Sequence, residues 1–429
     1  FVPHGPEDVA MAEQATEFMH HEFTRLNGYR VMNDAFQDAL VKKQGIVKAY
    51  WMTYPEAEIY TFTDLSDDEY TYLLDDDSVT VLEHTVEMTI EIDPMGMEIQ
   101  LPIHSVKLSR QKEMGELCIQ SVPPEEFFIN RDARSMEDAY VVAHRTDMRA
   151  GDLIAMGYDP DVVLKLDSFE SGSDITEAEV FERQGYSSDT SDEDQEDPSM
   201  RNVAVTEAYM RIDVDGTGVP VLHKITCGGT AYEMLDFEPC DELPFAKFEI
   251  DPEPHTFYGR SLAEIVMDDQ DAATSVLRSI LDNVAMTNNP RLGIVEGAVN
   301  IDDVLNNEIG AIVRMRQPGS VQELSVPFTA GQTLGALTYL DGLVESKTGV
   351  SRASMGLDPD AMQSTTKAAV QATVQAAAGQ VEVMVRNLAD GMRDLFGIML
   401  RLMSKNVDEE QMMRMNGSFV PVDPRVWDQ

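Results

Sequence analysis

The C-terminal third of the chain constrains the fold most, because it predicts one long helix from Ser364 to Lys405. Apolar residues recur there at alternating spacings of four and three, which places them on one face of a helix. At 1.5 Å per residue, such a helix would be about 60 Å long. A second apolar seam runs beside the first. The first seam consists of Val370, Val374, Ala377, Val381, Met384, Leu388, Gly391, Leu395, Ile398 and Leu402. The second seam consists of Val385, Ala389, Met392, Phe396, Met399 and Met403.

Two adjacent apolar seams predict that neighbours cover this helix on two sides. The pattern alone leaves open whether those neighbours belong to the same chain or to other subunits. A central helix in a monomeric helical domain would show the same periodicity. The helix has more apolar surface than its short sequence neighbours can cover, so we predict contacts between subunits. The residues expected at that interface are Val381, Leu388, Leu395 and Phe396.

Two further helices flank a small region just before the long helix. The first begins at Ser261, whose spacing to Glu264 is that of a capping box, and ends at Asn288-Asn289-Pro290. The region from Arg291 to Pro327 predicts short strands around Leu292–Val295 and Ala311–Met315. The second helix begins at Thr329 and ends at Gly349. A small domain is therefore expected between two helices.

The region before residue 257 mixes helical and strand patterns, so the predicted fold class is α+β. An acidic stretch at about 167–200 is expected to be a surface loop. The turn Asp213–Gly218 resembles a calcium loop, but strands flank it and a bidentate Glu is missing, which favours a β-turn. The elements predicted in this region are helices from Pro6, from Tyr29 and over Asp147–Met156, a strand over Ile46–Met52, and hairpins over Thr85–Ser121 and Val203–Thr226.

The charge balance limits the partners of the chain. Its 77 acidic and 32 basic residues give a formal net charge of −45. Affinity for nucleic acid comes mainly from Lys and Arg that displace counterions, so conventional DNA binding is not expected. Such a surface could still line a passage through which a polyanion slides without sticking. A generally acidic, salt-adapted protein would have the same composition.

The sequence carries no local motif of a common enzyme site. It lacks GxxxxGK[ST], GxSxG, HExxH and a strand-linked GxGxxG, and no cofactor is predicted. Adjacent residues such as His20, His21 and Glu22 point in different directions on a helix, so no metal site is predicted there either. No apolar run reaches the length of a membrane span, and no membrane partner is expected.

Four segments resemble portal proteins of short-tailed bacteriophages. The clearest is VPPEEFFINRDARSMEDAYVVAHRTDMRAGDLIAMGYD, from Val122 to Asp159. The others are Phe257–Val299, Lys347–Met362 and DAFQDALVKKQGIVKAYW, over Asp34–Trp51. Together they span nearly the whole chain in a consistent order.

The resemblance implies a portal fold with a defined order of parts. A wing domain with helices and strands comes first, and two stem helices flank a small α/β clip domain. A tunnel loop then leads to a long crown-side helix. The implied boundaries are wing 1–256, first stem helix 257–287, clip 288–327, second stem helix 328–348, tunnel loop 349–363, long helix 364–405 and C-terminal crown segment 406–429.

The resemblance also implies a function. Portals are rings, usually of twelve subunits, at one capsid vertex, through which double-stranded DNA is packaged and ejected. The implied partners are the large terminase subunit, head–tail adaptor and tail proteins, and the major capsid protein. The implied location is the virion, after assembly in the bacterial cytoplasm. An acidic enzyme without a visible motif and a ring scaffold unrelated to DNA are the alternatives.

Basic residues at two places are candidate contacts within this arrangement. Around the tunnel loop, Lys347, Arg352 and Lys367 are predicted to touch passing DNA, although Arg352 could equally pair with Asp358 or with an acid of a neighbouring subunit. In the clip, the basic positions are predicted to bind the motor or the tail adaptor. The competing expectation there is pairing with local acids such as Glu308. These clip residues are Arg291, Arg314 and Arg316.

Overall fold

A computed structural model of the chain mixes helices and strands, which confirms the α+β class. It describes residues 1–2, 9–74, 79–92, 98–167, 197–306, 308, 310–350, 367–407, 411–415 and 418–428. Residues 351–363 of the predicted tunnel loop lie outside the described residues, and so does most of the acidic stretch.

The elements follow the chain from an N-terminal helical pair to a C-terminal hairpin. The helices are α1 Val9–Arg25, α2 Gly28–Lys42, α3 Asp67–Leu74, α4 Ala150–Ala155, α5 Pro160–Val163, α6 Leu262–Asn288, α7 Ile301–Leu305, α8 Ala330–Thr348 and α9 Lys367–Asn406. The strands are β1 Gly45–Leu65, β2 Val79–Ile92, β3 Glu98–Val122, β4 Phe127–Ile129, β5 Val141–Arg149, β6 Asn202–Ile212, β7 Val221–Gly228, β8 Glu233–Pro239, β9 Phe245–Phe248, β10 Arg291–Ile294, β11 Val321–Leu324, β12 Gln411–Met415 and β13 Ser418–Val422.

The first sheet has the strand order β2-β3-β1-β9. Its strands are longer than the sequence pattern predicts, because β1 continues past Met52 to Leu65 and pairs with β3 over nearly its whole length. The antiparallel register runs from Ile46 opposite Val122 to Leu65 opposite His104. A long β-ribbon therefore extends away from the N-terminal helices.

The second sheet has the order β4-β5-β6-β7-β8, and all its pairings are antiparallel. It contains the predicted hairpin over Val203–Thr226 as β6 and β7. The helix predicted from Asp147 is wrong at its start, because residues 147–149 pair with β6 and the helix begins at Ala150. Thr146 is of a residue type that often caps helices, but here it pairs with Val205 of β6.

The main core joins the two ends of the chain. Phe18 of α1, Phe248 of β9, and Leu395 and Met399 of α9 are at most 2% exposed and belong to one cluster. Val422 near the C-terminus is buried in the same cluster. The predicted wing, long helix and C-terminal segment therefore share one core, which we call the body.

A glycine sets how closely the long helix approaches the first sheet. A Cβ added at Gly391 of α9 would lie 2.5 Å from the carbonyl oxygen of Lys247 and 2.6 Å from the Phe248 ring. Such distances are shorter than van der Waals contact, so the helix can lie this close to β9 only because the residue is glycine. This contact fixes the C-terminal half of α9 against the body.

Helices α6 and α8 flank the strand pair of β10 and β11. Ser261 caps α6 by accepting from the Glu264 amide at 3.0 Å, as its capping-box spacing predicts. Gly349 ends α8 with φ of +72°. The second strand of the inserted domain is Val321–Leu324, which pairs with β10, whereas Met315 makes only an isolated bridge to Val299. The strand predicted at Ala311–Met315 is therefore wrong.

Candidate functional site: the paired helices and the inserted domain

Helices α6 and α8 form an antiparallel pair that is joined near both ends. At one end, Lys347 Nζ lies 2.6 Å from the Asp269 carboxylate. The Asp269 side chain is 12% exposed and the Lys347 side chain 41%, so the helix pair shields mainly the carboxylate from water. The two residues are 78 positions apart in sequence, and no local pattern predicts their contact. We refer to α6 and α8 together as the stem.

The other end of the stem is joined by a single amide side chain. Asn283 Nδ2 donates to the carbonyl oxygen of Pro327 at 3.0 Å. Its Oδ1 accepts from the Thr329 amide, also at 3.0 Å. One side chain thus satisfies two backbone groups where the chain leaves the inserted domain and enters α8. Sequence analysis did not find this residue, because an asparagine late in a helix carries no distinctive signal.

The inserted domain, residues 289–328, has no apolar core in the part that the structure describes. No apolar side chain that the structure describes between Ile280 and Ala330 is buried. Ser320 is the one residue of the described domain that is buried. The exposed large apolar residues of this domain are Leu292, Ile294, Val295, Ile301, Leu305, Ile312, Met315, Leu324, Val326 and Phe328. We call residues 289–328 the clip, one residue later at each end than the expected clip 288–327, because α6 ends at Asn288.

The stem likewise leaves many of its apolar side chains exposed. Within the described stretch of α6, Ile280 is the one buried residue, and Leu281 beside it is 60% exposed. A helix pair in water normally buries one apolar stripe of each helix. Here apolar residues also face outward, as they would where another protein surface packs against them. The exposed ones are Met267, Leu277, Leu281, Met286, Leu334 and Tyr339.

An ion pair between Arg314 and Asp303 joins two segments of the clip. The Arg314 guanidinium donates from Nε and Nη2 to the Asp303 carboxylate, at 2.7 and 2.9 Å. These hydrogen bonds lower the pKa of Asp303 to about 2. Pairing of Arg314 with a local acid is therefore observed, but the acid is Asp303 rather than Glu308. Arg291 and Arg316, the other two predicted clip contacts, are exposed.

The predicted DNA contacts are only partly located. Lys347 is held by Asp269 within the stem. Lys367 is the first residue of α9, and Arg352 lies outside the described residues. Among these three cations, the structure describes the side-chain contacts of Lys347 alone, and Lys347 already has a structural partner.

The four predicted interface residues divide between two environments along α9. Leu395 is fully buried in the body, and Phe396 packs against Phe23 with ring centroids 5.3 Å apart. Leu388 is partly buried against the same core, while Val381 is 36% exposed. Elements distant in sequence cover the C-terminal half of the helix, so Leu395 does not reach a second subunit in this conformation. Among the α9 side chains that the structure describes, the exposed large apolar ones are Val381, Val383 and Val385.

Other candidate sites from the sequence have simple structural explanations. The Asp213 carboxylate accepts from the amides of Thr217 and Gly218, at 3.0 and 2.7 Å, and so closes a turn between β6 and β7. In the described ranges, no three His, Cys, Asp or Glu side chains are grouped as a metal site. Among the helices that the structure describes, none combines the length and apolar character of a membrane span.

Comparison with known proteins gives one match over the full length. The family model described as Phage SU10 portal protein matches residues 1–429, which is the whole chain. A search of curated proteins finds no match.

Proposed function

The chain belongs to the phage SU10 portal protein family, and on that premise we propose that it assembles into a ring of twelve subunits around a channel for double-stranded DNA. The ring stands at one vertex of the capsid in the virion, and DNA enters during packaging and leaves during ejection. The family is structural rather than enzymatic, which disfavours the acidic-enzyme alternative. The proposed role needs no cofactor.

The observation that carries this proposal is the uncovered apolar surface of the stem and clip. A unit of about 40 residues rarely holds its fold without a core, a metal or a partner. The described clip has ten exposed large apolar side chains and none that is buried. Side-by-side packing of identical subunits in a closed ring would cover such surfaces in every copy.

The charge of the stem suits a channel for a polyanion. Asp268, Asp271 and Asp282 of α6 are exposed, and Asp341 of α8 is exposed as well. Where such residues face the channel, they repel phosphates, and DNA can slide without being retained. Contacts of Arg352 and Lys367 with DNA remain predictions. Lys347 would have to leave Asp269 before it could touch a phosphate.

The clip is the proposed docking surface for the other packaging and tail components. We expect it to bind the large terminase subunit first and the head–tail adaptor and tail proteins afterwards. Arg291 and Arg316 are exposed cations for these contacts, whereas Arg314, although also exposed, is paired with Asp303 within the clip. The major capsid protein would surround the body, and assembly would take place in the host bacterial cytoplasm.

The test is the mass and symmetry of the purified protein. Twelve copies of the 47.8 kDa chain give about 570 kDa with closed rotational symmetry. Multi-angle light scattering would measure the mass, and class averages of stained particles would count the subunits. A species below about 100 kDa at every concentration and salt condition would contradict the proposal.

A further inference from the structure

The apolar cores of the body do not extend into the stem. In the described chain, none of the three clusters of buried apolar residues includes a residue of α6 or α8. Phe257, which lies five residues before α6, is buried in one of these clusters. An open cavity of about 490 Å³ lies beside the base of the stem, and its lining includes Glu264 and Ile265. The first turns of α6 therefore have room to move.

The chain is held firmly up to the residue before the cap of α6. Asn387 Nδ2 of α9 donates to the carbonyl oxygen of Ile250 at 2.7 Å. The Arg260 amide donates to the Asp251 carbonyl oxygen at 2.8 Å, and the Arg260 guanidinium lies 2.7 Å from the Asp251 carboxylate. A Cβ at Gly259 would lie 2.6 Å from the same carbonyl oxygen, so this close approach requires glycine. Movement of the stem would therefore pivot just after Arg260.

One ion pair joins α6 to the end of α2, about one turn beyond this pivot. Lys43 Nζ lies 3.1 Å from the Glu264 carboxylate, and the two side chains are 44% and 41% exposed. Such an exposed pair adds little to the stability of a fold and is screened by salt. Because it joins the body to a helix that has room to pivot, it can still shift the balance between two stem positions. We call this ion pair the latch.

The backbone at Lys43 is strained. Its φ is +85°, a value that residues other than glycine rarely adopt. Lys43 directly follows α2, at the position where helices most often have glycine. Glycine there would keep the turn into β1 and remove the strain. What lysine supplies and glycine cannot is the charge that pairs with Glu264.

We propose that the latch is a salt-sensitive switch that sets the angle between the stem and the body. With the pair formed, the start of α6 is held at the end of α2, and with the pair broken, the stem rotates about the pivot. Lys347 and Asp269 join α8 to α6, so the two helices move together. The 27 residues of α6 span about 40 Å, and Glu264 lies about 5 Å from its start. A shift of about 1 Å at the latch would therefore move the clip by about 8 Å.

This inference goes beyond ring assembly and does not rest on it, since both residues of the latch belong to one subunit. Each stem position presents the clip at a different place relative to the body. A partner that binds the clip better in one position would shift the balance toward that position. The latch would in this way link binding at the clip to the ion pair at the base of the stem.

The experiment measures the distance between the stem and the body in the full chain. Spin labels are attached through non-natural amino acids introduced at two exposed positions, Glu13 of α1 and Asp282 near the clip end of α6. Labelled chains are diluted into unlabelled ones before assembly, so pulsed electron paramagnetic resonance measures distances within one subunit. Wild type at low salt should give one main distance. At 1 M salt, where the Debye length is about 3 Å, a second distance should become about twofold to fivefold more populated.

Lys43→Gly separates the proposed role from a purely structural one. It removes the charge and the backbone strain together. At low salt, the second distance should become about twofold to fivefold more populated than in wild type. The urea midpoint of unfolding should stay the same or rise, because the strain is gone. If Lys43 only supported the turn, this variant would gain stability and leave the distance unchanged.

Exchange of the two charges tests the pairing itself. Lys43→Glu and Glu264→Lys should each populate the second distance more than Lys43→Gly does, because like charges then face each other. The double variant with both changes should return to the wild-type distance. Lys165→Glu reverses another exposed charge of the body, and as the control it should leave the distance unchanged.

Four results would overturn the proposal. They are a wild-type distance that does not respond to salt, a wild-type distance in Lys43→Gly, a double variant that does not recover the wild-type distance, and a control that shifts as much as Lys43→Glu. None of these results depends on whether rings form, so they are distinguishable from a failure of the proposed function.

Discussion

The body and the stem–clip unit differ in how much of their apolar surface the same chain covers. In the body, α1, α2, the first sheet and α9 enclose a core in which Leu395 and Met399 are 0% exposed. In the stem and clip, apolar residues such as Leu281 and Ile312 are 60% and 83% exposed. The chain itself therefore completes the core of the body but leaves apolar surface of the stem and clip exposed, which the proposed ring would cover.

The same contrast runs along the single helix α9. Its C-terminal half is buried in the body, while Val383 and Val385 near its middle are 57% and 55% exposed. One helix thus belongs to both kinds of environment. Substitutions at matched positions along it can separate the stability of the subunit from assembly of the ring.

The largest expected effect comes from a charge placed in the buried half. Leu395→Asp would leave an unpaired carboxylate and a packing defect in the core, so we expect a loss of about 4 kcal/mol or more of unfolding free energy. Urea denaturation of unassembled subunits would measure it. Val383→Asp on the exposed part of the same helix is the control and should change this quantity by less than about 1 kcal/mol. Equal losses in the two variants would remove the distinction between the two halves.

The next prediction tests what joins the two sheets of the body. Lys48, whose side chain is 6% exposed, is paired with Glu207 of the second sheet. Burial raises the pKa of Glu207, but the charge and hydrogen bond of Lys48 outweigh it, and the pKa lies below its usual value. Lys48→Met would leave this carboxylate largely buried without its hydrogen-bond donor, with Lys224 as the nearest remaining cation, and should cost about 3 kcal/mol at pH 7. The double variant Lys48→Met with Glu207→Leu should recover part of that loss, and no recovery would argue against the pair.

The sign of the pH dependence follows from the lowered pKa of Glu207. The stability that this carboxylate contributes is present above its unfolded pKa, about 4.3, and is lost as the pH falls through the lower folded pKa. Wild-type subunits should therefore lose stability faster below about pH 4.3 than Glu207→Gln subunits do. Parallel urea titrations from pH 7 to pH 3 would show the two curves converging on acidification. Curves that stay parallel would contradict the assignment.

Assembly should respond to substitutions that leave the subunit intact. Leu281→Asp places a charge on an exposed stem position, so unfolding of the unassembled subunit should change little. In a ring, the same charge would be buried at every interface, at a cost of about 2 kcal/mol or more each. Light scattering should then show loss of rings. Met88→Asp, which alters a residue 68% exposed on the ribbon, is the control and should assemble normally. Normal rings from the Leu281 variant would place the subunit contacts elsewhere.

Local sequence signals predicted the parts of this fold that depend on local chemistry. The Ser261 cap, the Gly349 stop and the hairpin of β6 and β7 follow from residues within a few positions of one another. The full length of β1, the start of α4 at Ala150 and the pairing of β10 with β11 depend on strands that meet from far apart in the chain. Propensity alone cannot supply those pairings.

The residues of the candidate site divide in the same way, between those that local sequence signals predict and those that depend on contacts between distant parts of the chain. Periodicity identified α9 as covered on two sides, but it could not tell cover by the chain's own N-terminal helices from cover by other subunits. Leu395 was assigned to an interface for that reason, and the structure places it in the body. The partners of Lys347 and Arg314, which are Asp269 and Asp303, lie 78 and 11 positions away. A charge in the sequence shows that a partner is needed without showing which one.

The smallest expected effect concerns Asn283, the side chain of α6 that bonds to the backbone where the chain leaves the clip and enters α8. Asn283→Asp keeps the acceptor for the Thr329 amide but replaces the donor to Pro327 with a carboxylate oxygen, which the carbonyl repels. Asn283→Leu has a side chain of similar size but loses both hydrogen bonds. We expect losses of about 1 kcal/mol for the first and about 1 to 2 kcal/mol for the second, because one or two backbone groups lose a partner that is partly shielded from water.

These losses should be local, because Asn283 contacts the exit of the clip rather than the core of the body. Hydrogen exchange should therefore speed up at the Thr329 amide in Asn283→Leu and stay nearly unchanged there in Asn283→Asp. Exchange in the buried half of α9 should be the same in both variants and in wild type. If both variants accelerate exchange throughout the body, the stem–clip unit is not an independent region, and the contrast between the two regions fails.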